Sequence, residues 1–221
     1  MIRQFADVIL ASGSPRRREL FEREGITFTI LKSDIEEETK ETDPGKVVLD
    51  LSGQKALAVR DIFLKEKEDK KNADTADRSD SGRDVLIVSA DTIVAKDDLI
   101  LGKPKDEKDA LNILMSLSGQ IHSVFTGVNI LYLKNENGRY IHKETISFSE
   151  ETKVKMIPFS EDDAREYIRT GEPMDKAGAY GIQGIGGKFV EKIDGDFDNV
   201  VGFPMASFVR KCCEYGCFKL Y

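Results

Sequence analysis

A chain of 221 residues with 40% hydrophobic and 33% charged residues can bury a core and has the balance of a globular protein in water. Its formal net charge of -7 argues against a general nucleic-acid binder, which needs surplus lysine and arginine to neutralise phosphates. No apolar run approaches the roughly 20 residues that cross a bilayer, and Arg3 and Asp7 interrupt any signal-like segment, so a cytoplasmic protein without a membrane partner is expected.

In chain order, residues 7–11 read as a short apolar strand. A helix over 15–24 follows, with Ser14 as N-cap, Pro15 at its first position and Gly25 as its stop. A second strand is expected at 26–31 and a helix at 44–64, where Val47, Leu51 and Leu57 recur at helical spacing. Residues 65–84 hold thirteen charged residues, six basic and seven acidic, and no Ile, Leu, Val, Phe or Tyr. Such a segment cannot offset its ordering entropy by burial, and it reads as a flexible insert. A regulatory or partner-binding loop is the functional alternative.

A buried strand is expected at 85–90, and 93–95 and 99–101 flank a hairpin turn at 96–98. Residues 106–117 form an amphipathic helix through Ala110, Leu111, Leu114 and Leu117, ended by Gly119. Long strands are expected at 122–133 and 143–157. A helix at 161–170 is capped by Ser160 with Asp163 in a capping-box pattern and stopped by Gly171, and a last helix covers 204–215. No repeat is visible. The pattern is a single mixed α/β domain over 1–221, with antiparallel pairing beside parallel units.

Cys212, Cys213 and Cys217 are odd in number and crowd the C-terminal end, with no second cluster or nearby histidine. Reduced thiols are expected rather than a disulfide framework or a zinc site. Of two histidines, His122 caps or orients and His142 faces solvent; neither forms a credible nucleophile pair.

Three stretches can carry chemistry. In VILASGSPRRREL at 8–20, a strand, a turn of small residues and a helix N-terminus expose backbone N–H groups beside Arg16, Arg17 and Arg18. That geometry favours anions, yet it is neither a Walker loop nor a GxGxxG turn. The same stretch also reads as an ordinary capped helix with a solvated basic turn. Next, Asp91 follows the buried run at 85–90 and sits at a strand end, with Lys103, Lys105 and Asp106 around Pro104 downstream. Carboxylate and lysine so placed suit a metal and a phosphate, although Asp91 equally suits a turn. Last, glycines crowd 171–187 around Asp175, Lys176 and Gln183, and let the backbone approach a ligand. The Gln183 amide can meet the N–H and carbonyl edge of uracil or thymine. A long irregular loop is the plainer alternative.

Taken in order, SGSPRR at 12–17, IEE at 35–37, KA at 55–56, ADTIV at 90–94, GKPKD at 102–106, SGQIHSVFTGV at 118–128, MDKAGAYGIQG at 174–184 and NVVGFP at 199–204 resemble the Maf family of nucleoside triphosphate pyrophosphatases. The resemblance implies an α/β fold with a mixed elongated sheet flanked by helices and two lobes around a groove, similar to inosine-triphosphate pyrophosphatases of the Maf/Ham1 type. It implies hydrolysis of dTTP or UTP to the monophosphate and pyrophosphate, assisted by Mg²⁺ or Mn²⁺, by a homodimer. Asp91 matches the family's proton acceptor, and Glu37, Lys55 and Lys103 match its other acidic and basic groove residues. Glu37 and Asp91 are the expected metal ligands. Arg17, Thr92 and Gln183 match positions that mark the dTTP/UTP branch, and Ser12, Ser14, Arg16, Asp175 and Lys176 complete the expected substrate contacts. Arg18 falls outside the matched motif. The insert at 65–84 departs from compact members. A nucleotide sensor that does not hydrolyse is the alternative, as is, less favourably, a nucleic-acid binder using Arg16–Arg18.

Overall fold

The computed structural model describes residues 2–73, 82–97 and 99–221. The elements in chain order are β1 (Ile2–Gln4), β2 (Asp7–Leu10), α1 (Pro15–Arg23), β3 (Phe28–Ile30), α2 (Pro44–Ala73), β4 (Val85–Lys96), β5 (Leu99–Leu101), α3 (Glu107–Leu117), β6 (Ile121–Glu136), β7 (Arg139–Met156), α4 (Glu161–Ile168), β8 (Val190–Asp194), α5 (Phe197–Val201), α6 (Met205–Glu214) and β9 (Phe218–Leu220). Three short 3₁₀ segments lie between α4 and β8. Among the described residues the strands form a seven-stranded sheet ordered β3-β2-β4-β6-β7-β8, with β5 also on β4, and a separate β1-β9 pair. Pairs β2–β3 and β2–β4 are parallel and the other pairs are antiparallel, so the mixed sheet is as expected.

Alternation along the strands sorts the core. Leu10, Leu86, Val88, Val128 and Ile130 face α1 and α6, where Leu20, Phe21, Phe203 and Phe208 pack on them. Their neighbours Ile9, Ile87, Leu131 and Leu133 face α2, meeting Ala56, Val59 and Phe63. Farther along the same strands, Val94, Val124 and Val154 face a third cluster built by α3 and α4 with Ala179, Tyr180 and Phe189. The long strands β4, β6 and β7 thus run through two lobes.

The groove between the lobes comes from a break in pairing. Strand β2 pairs with β4 only as far as Leu10 opposite Val88, and the chain then turns away. Strand β5 takes up the same edge of β4 from Val94 to Lys96. From Ser89 to Ile93 that edge has no strand neighbour among the described residues, while β6 pairs along the whole opposite edge.

Several expected boundaries move. Residues 85–95 are not two strands: β6 pairs from Leu133 opposite Val85 to Ser123 opposite Ala95, and one continuous strand results. Asp91 therefore stands mid-strand, at the unpaired edge rather than at a strand end. Helix α2 continues to Ala73, nine residues into the segment read as an insert. Low hydrophobicity excludes a buried helix, not an exposed one, and Lys and Glu are good helix formers with Glu66 and Lys70 at i,i+4 spacing. The remainder, 74–81, lies outside the described residues. Strands β6 and β7 form one long hairpin turning at Asn137-Gly138, both with positive φ (55° and 79°). Asn-Gly is the strongest two-residue hairpin signal, because both positions tolerate the positive φ that the turn requires. The expected caps hold: Ser14 accepts from Arg17 N–H, and Ser160 and Asp163 form a capping box.

Helix α2 lies close on the sheet because β6 carries Gly127 beneath it. A Cβ at Gly127 would stand 2.5 Å from the Val48 carbonyl. Behind this contact, the Ser89 hydroxyl donates to Ser52 O (2.6 Å) and the Asn129 amide donates to Leu49 O (2.9 Å) and Ser52 Oγ (2.8 Å). Gly127→Ala is expected to lower stability by about 1–3 kcal/mol through overpacking, read as a lower urea midpoint with an unchanged slope; an unchanged midpoint would show that α2 can lift away freely.

Candidate active site

At the unpaired edge of β4, Asp91 meets Lys55 from α2 at 2.5 Å, and the same ammonium meets Glu37 at 2.9 Å. These side chains keep only 19–24% of their surface exposed. Glu37 arrives on an irregular segment pinned to α2: Gln54 donates to Glu38 O (2.8 Å), and the Thr39 hydroxyl donates to Asp50 (2.7 Å). One cation therefore holds two carboxylates that would otherwise repel each other. Each carboxylate keeps one oxygen, Glu37 Oε1 and Asp91 Oδ2, without a bond among the described residues.

The first basic motif divides by role. Arg17 is half-buried: Nε donates to Gly202 O (2.8 Å), Nη1 to Ser12 Oγ (3.1 Å) and Nη2 to Thr92 Oγ1 (3.1 Å). Burial lowers its pKa, nearby Asp91 opposes that shift, and the group stays charged at neutral pH. Thr92 passes the network to Thr126 (2.9 Å), whose hydroxyl donates to Asn199 O (3.1 Å). Arg17, Ser12 and Thr92 thus tie α1, β4 and α5 together beneath the groove, leaving Arg17 two of its five N–H donors for a ligand. Arg16 is freer, with Asp175 at 3.8 Å as its ion-pair partner. Arg18 points away and pairs with Glu22 at 2.7 Å.

The residues that the family resemblance marked for substrate or metal come to one cavity of about 580 Å³: Ser12, Ser14, Arg16, Arg17, Glu37, Lys55, Asp91, Thr92, Lys103, Asp175, Lys176 and Gln183. Lys105 and Asp106 do not; Asp106 caps α3 instead. Lys103 and Gln183 are exposed on the cavity wall with no hydrogen bond or ion pair among the described residues. The sequence reading missed Lys32, which lines the same wall, also unpaired, with Nζ 2.8 Å from where a Gly13 Cβ would stand. A lone lysine after an edge strand carries no motif, so nothing in the sequence marked it. Ile93, Val94, Val124, Tyr180, Ile182 and Val201 supply apolar surface to the same cavity.

His122 orients rather than reacts. It is 2% exposed, and its Nε2 lies 2.8 Å from the Tyr180 hydroxyl. Burial, with the Lys96 charge adding to it, lowers its pKa to about 4, so the ring is neutral. His142, expected to face solvent, is half-buried, with Nδ1 3.2 Å from Arg60. All three cysteines are free thiols, as expected.

No group of three or more His, Cys, Asp or Glu among the described residues could hold a metal ion by itself. Two carboxylates with one open oxygen each fit Mg²⁺ or Mn²⁺ shared with phosphate oxygens and water, the usual pattern for a nucleotide-borne ion.

Family comparison matches residues 7–214 to the family described as Maf-like protein. The chain belongs to the Maf family. Among similar Maf relatives is a human protein named "Probable bifunctional dTTP/UTP pyrophosphatase/methyltransferase protein", 40% identical over 207 residues; the match takes 92% of this chain but spans only 31% of the human protein's length. A dTTP/UTP pyrophosphatase of Thermoanaerobacter sp. (strain X514) is 41% identical over 199 residues, covering 90% of this chain and 91% of that one. One of Agathobacter rectalis is 41% identical over 211 residues, covering 96% and 98%. A solved HAM1 protein from Coxiella burnetii aligns with TM-score 0.36 and 13% identity over 68% of this chain and 73% of that chain, a likeness too distant to carry an argument. No helix among the described residues is long and apolar enough to cross a membrane.

Two outcomes follow for this Maf groove. Lys32→Ala and Lys103→Ala should each weaken binding of inorganic triphosphate about two- to fivefold, less so at high salt, with Lys105→Ala unchanged by calorimetry. For His122, the folded pKa lies below the ordinary 6.5. The unfolded chain therefore binds the extra proton, and stability should fall as pH drops from about 6.5 towards about 4. In pH-dependent urea unfolding His122→Asn should flatten that slope; an unaltered slope would place the ring in a wetter site.

Proposed function

We propose that this Maf protein hydrolyses dTTP and UTP to the nucleoside monophosphate and pyrophosphate. The observation that carries the reading is the cavity itself, in which the Lys55-bridged Glu37 and Asp91 face Arg16, Lys32 and Lys103 around one space. The names of the Maf relatives support the same reading. Lys32 and Lys103, unpaired among the described residues, suit a polyanion, the apolar lining suits a base, and the exposed Gln183 amide can meet a pyrimidine edge.

The reaction needs a water to attack the α-phosphorus, break its bond to the bridging oxygen and release pyrophosphate. In this reading Asp91 relays the water's proton beside the ion. Arg16, Lys32 and Lys103 offset charge on the departing pyrophosphate, and Lys55 keeps Glu37 and Asp91 together. A divalent ion bound by Glu37 and Asp91 with the triphosphate would lower the pKa of a bound water and screen phosphate charge. Arg17, Thr92 and Ser12 keep the floor of the groove in place. A homodimer, a cytoplasmic location and a single domain belong to the same reading.

The test is pyrophosphate release from dTTP, UTP, CTP, ATP and GTP with Mg²⁺ or Mn²⁺. Asp91→Asn should lower kcat at least ~100-fold with the fold intact. Undiminished turnover would remove Asp91 from its role, purine preference would remove the pyrimidine assignment, and tight binding without turnover would make the protein a nucleotide sensor.

A further inference from the structure

The loop at 171–187 supplies one wall of the cavity, from Asp175 to Gln183, yet it contains no strand and only short 3₁₀ turns. What gives it one shape is a carboxylate outside the matched motif. Glu172 Oε1 accepts from the Tyr167 hydroxyl (2.8 Å) and from Gly186 N–H (3.1 Å), and Oε2 accepts from Ile185 N–H (2.9 Å). The Tyr167 hydroxyl in turn accepts from Gly181 N–H at 3.2 Å. Both ends of the 181–186 turn that carries Gln183 are therefore fastened to one side chain, directly or through Tyr167. Lys176 is fastened to the same residue, its Nζ donating to Glu172 O at 2.6 Å.

Packing leaves this arrangement little freedom. A Cβ at Gly184 would stand 2.5 Å from both Glu172 oxygens, and one at Gly186 would stand 2.5 Å from the Tyr167 hydroxyl. A Cβ at Gly181 would stand 2.6 Å from Lys176 Cε. The glycines here make room for the carboxylate and its partners. Burial disfavours the charge on Glu172, but the Ile185 N–H, Tyr167 hydroxyl and Gly186 N–H outweigh it and its pKa is lowered. It remains an anion through the neutral range.

We infer that Glu172 is a positioning residue: by clamping the 181–186 turn with its carboxylate it fixes the cavity wall that carries Gln183, and so sets the preference for pyrimidine over purine triphosphates. The inference rests on the proposed hydrolysis of dTTP and UTP. A purine is wider than a pyrimidine by one fused ring, so a wall that yields admits it. Glu172 itself does not line the cavity. It acts through Gly181, Ile182 and Gln183, which do.

The experiment compares kcat and KM for dTTP and dGTP in the full-length wild type, Glu172→Gln and Tyr167→Phe. Glu172→Gln puts an amide N–H₂ where the carboxylate now accepts from N–H groups. The dTTP:dGTP ratio of kcat/KM should fall about tenfold or more in Glu172→Gln and by less in Tyr167→Phe, through KM for dTTP rather than kcat. A purely structural role would lower both substrates equally and leave the ratio alone, which would overturn the inference. Should Glu172→Gln fail to fold, Tyr167→Phe decides: an unaltered ratio there overturns it. The wild-type column is separate: a wild type inactive on dTTP and UTP would sink the proposed function.

Discussion

The closeness of α2 to the sheet is the constraint on which the rest of the site depends. Gly127 leaves no side chain between β6 and the Val48 carbonyl, and the buried hydroxyls and amide of Ser52, Ser89 and Asn129 fasten the helix at that depth. Only then does Lys55, one turn farther along, reach Asp91 at 2.5 Å. The helix also carries Gln54 and Asp50, which draw the 37–39 segment inward and bring Glu37 to the same ammonium. Packing on the α2 face of the sheet thus becomes an electrostatic relation in the groove, where Asp91 lies opposite Gly127 on the neighbouring strand.

The second requirement is an edge. Parallel pairing of β2 stops at Val88 and β5 begins at Val94, so β4 presents Asp91 and Thr92 to a cavity instead of to a neighbouring strand. The strands continue through both lobes, which makes the groove a gap in one sheet and not a joint between two independent bodies. Arg17 spans its floor with neutral partners, Gly202 O, Ser12 and Thr92. Arg17, expected as a substrate contact, spends three of its five donors on holding the floor together, and among the described residues that line the cavity Lys32 and Lys103 are cations without an ion pair or hydrogen bond.

Much of this was legible beforehand, and for identifiable reasons. The cap at Ser14, the stop at Gly25 and the Ser160 box are local rules obeyed by neighbouring residues, so sequence distance does not obscure them. The site residues were legible because their motifs resemble a known family. What escaped was non-local or understated. Asp91 looked like a strand end because the pairing that extends β4 comes from β6, more than thirty residues away in sequence. The exposed part of α2 reads as a loop by charge and low hydrophobicity, which a solvated helix of Lys and Glu shares. Lys32 and Glu172 act through places that only the folded chain brings together.

The central claim is that Lys55 and Asp91 work as one unit, and a double-mutant cycle tests it most directly. Rates of dTTP hydrolysis would be measured for Lys55→Met, Asp91→Asn and the double variant. If the ion pair is the functional unit, the double variant loses about as much as the worse single one, as groups acting together do. Losses that multiply would show the two acting independently and would contradict the account.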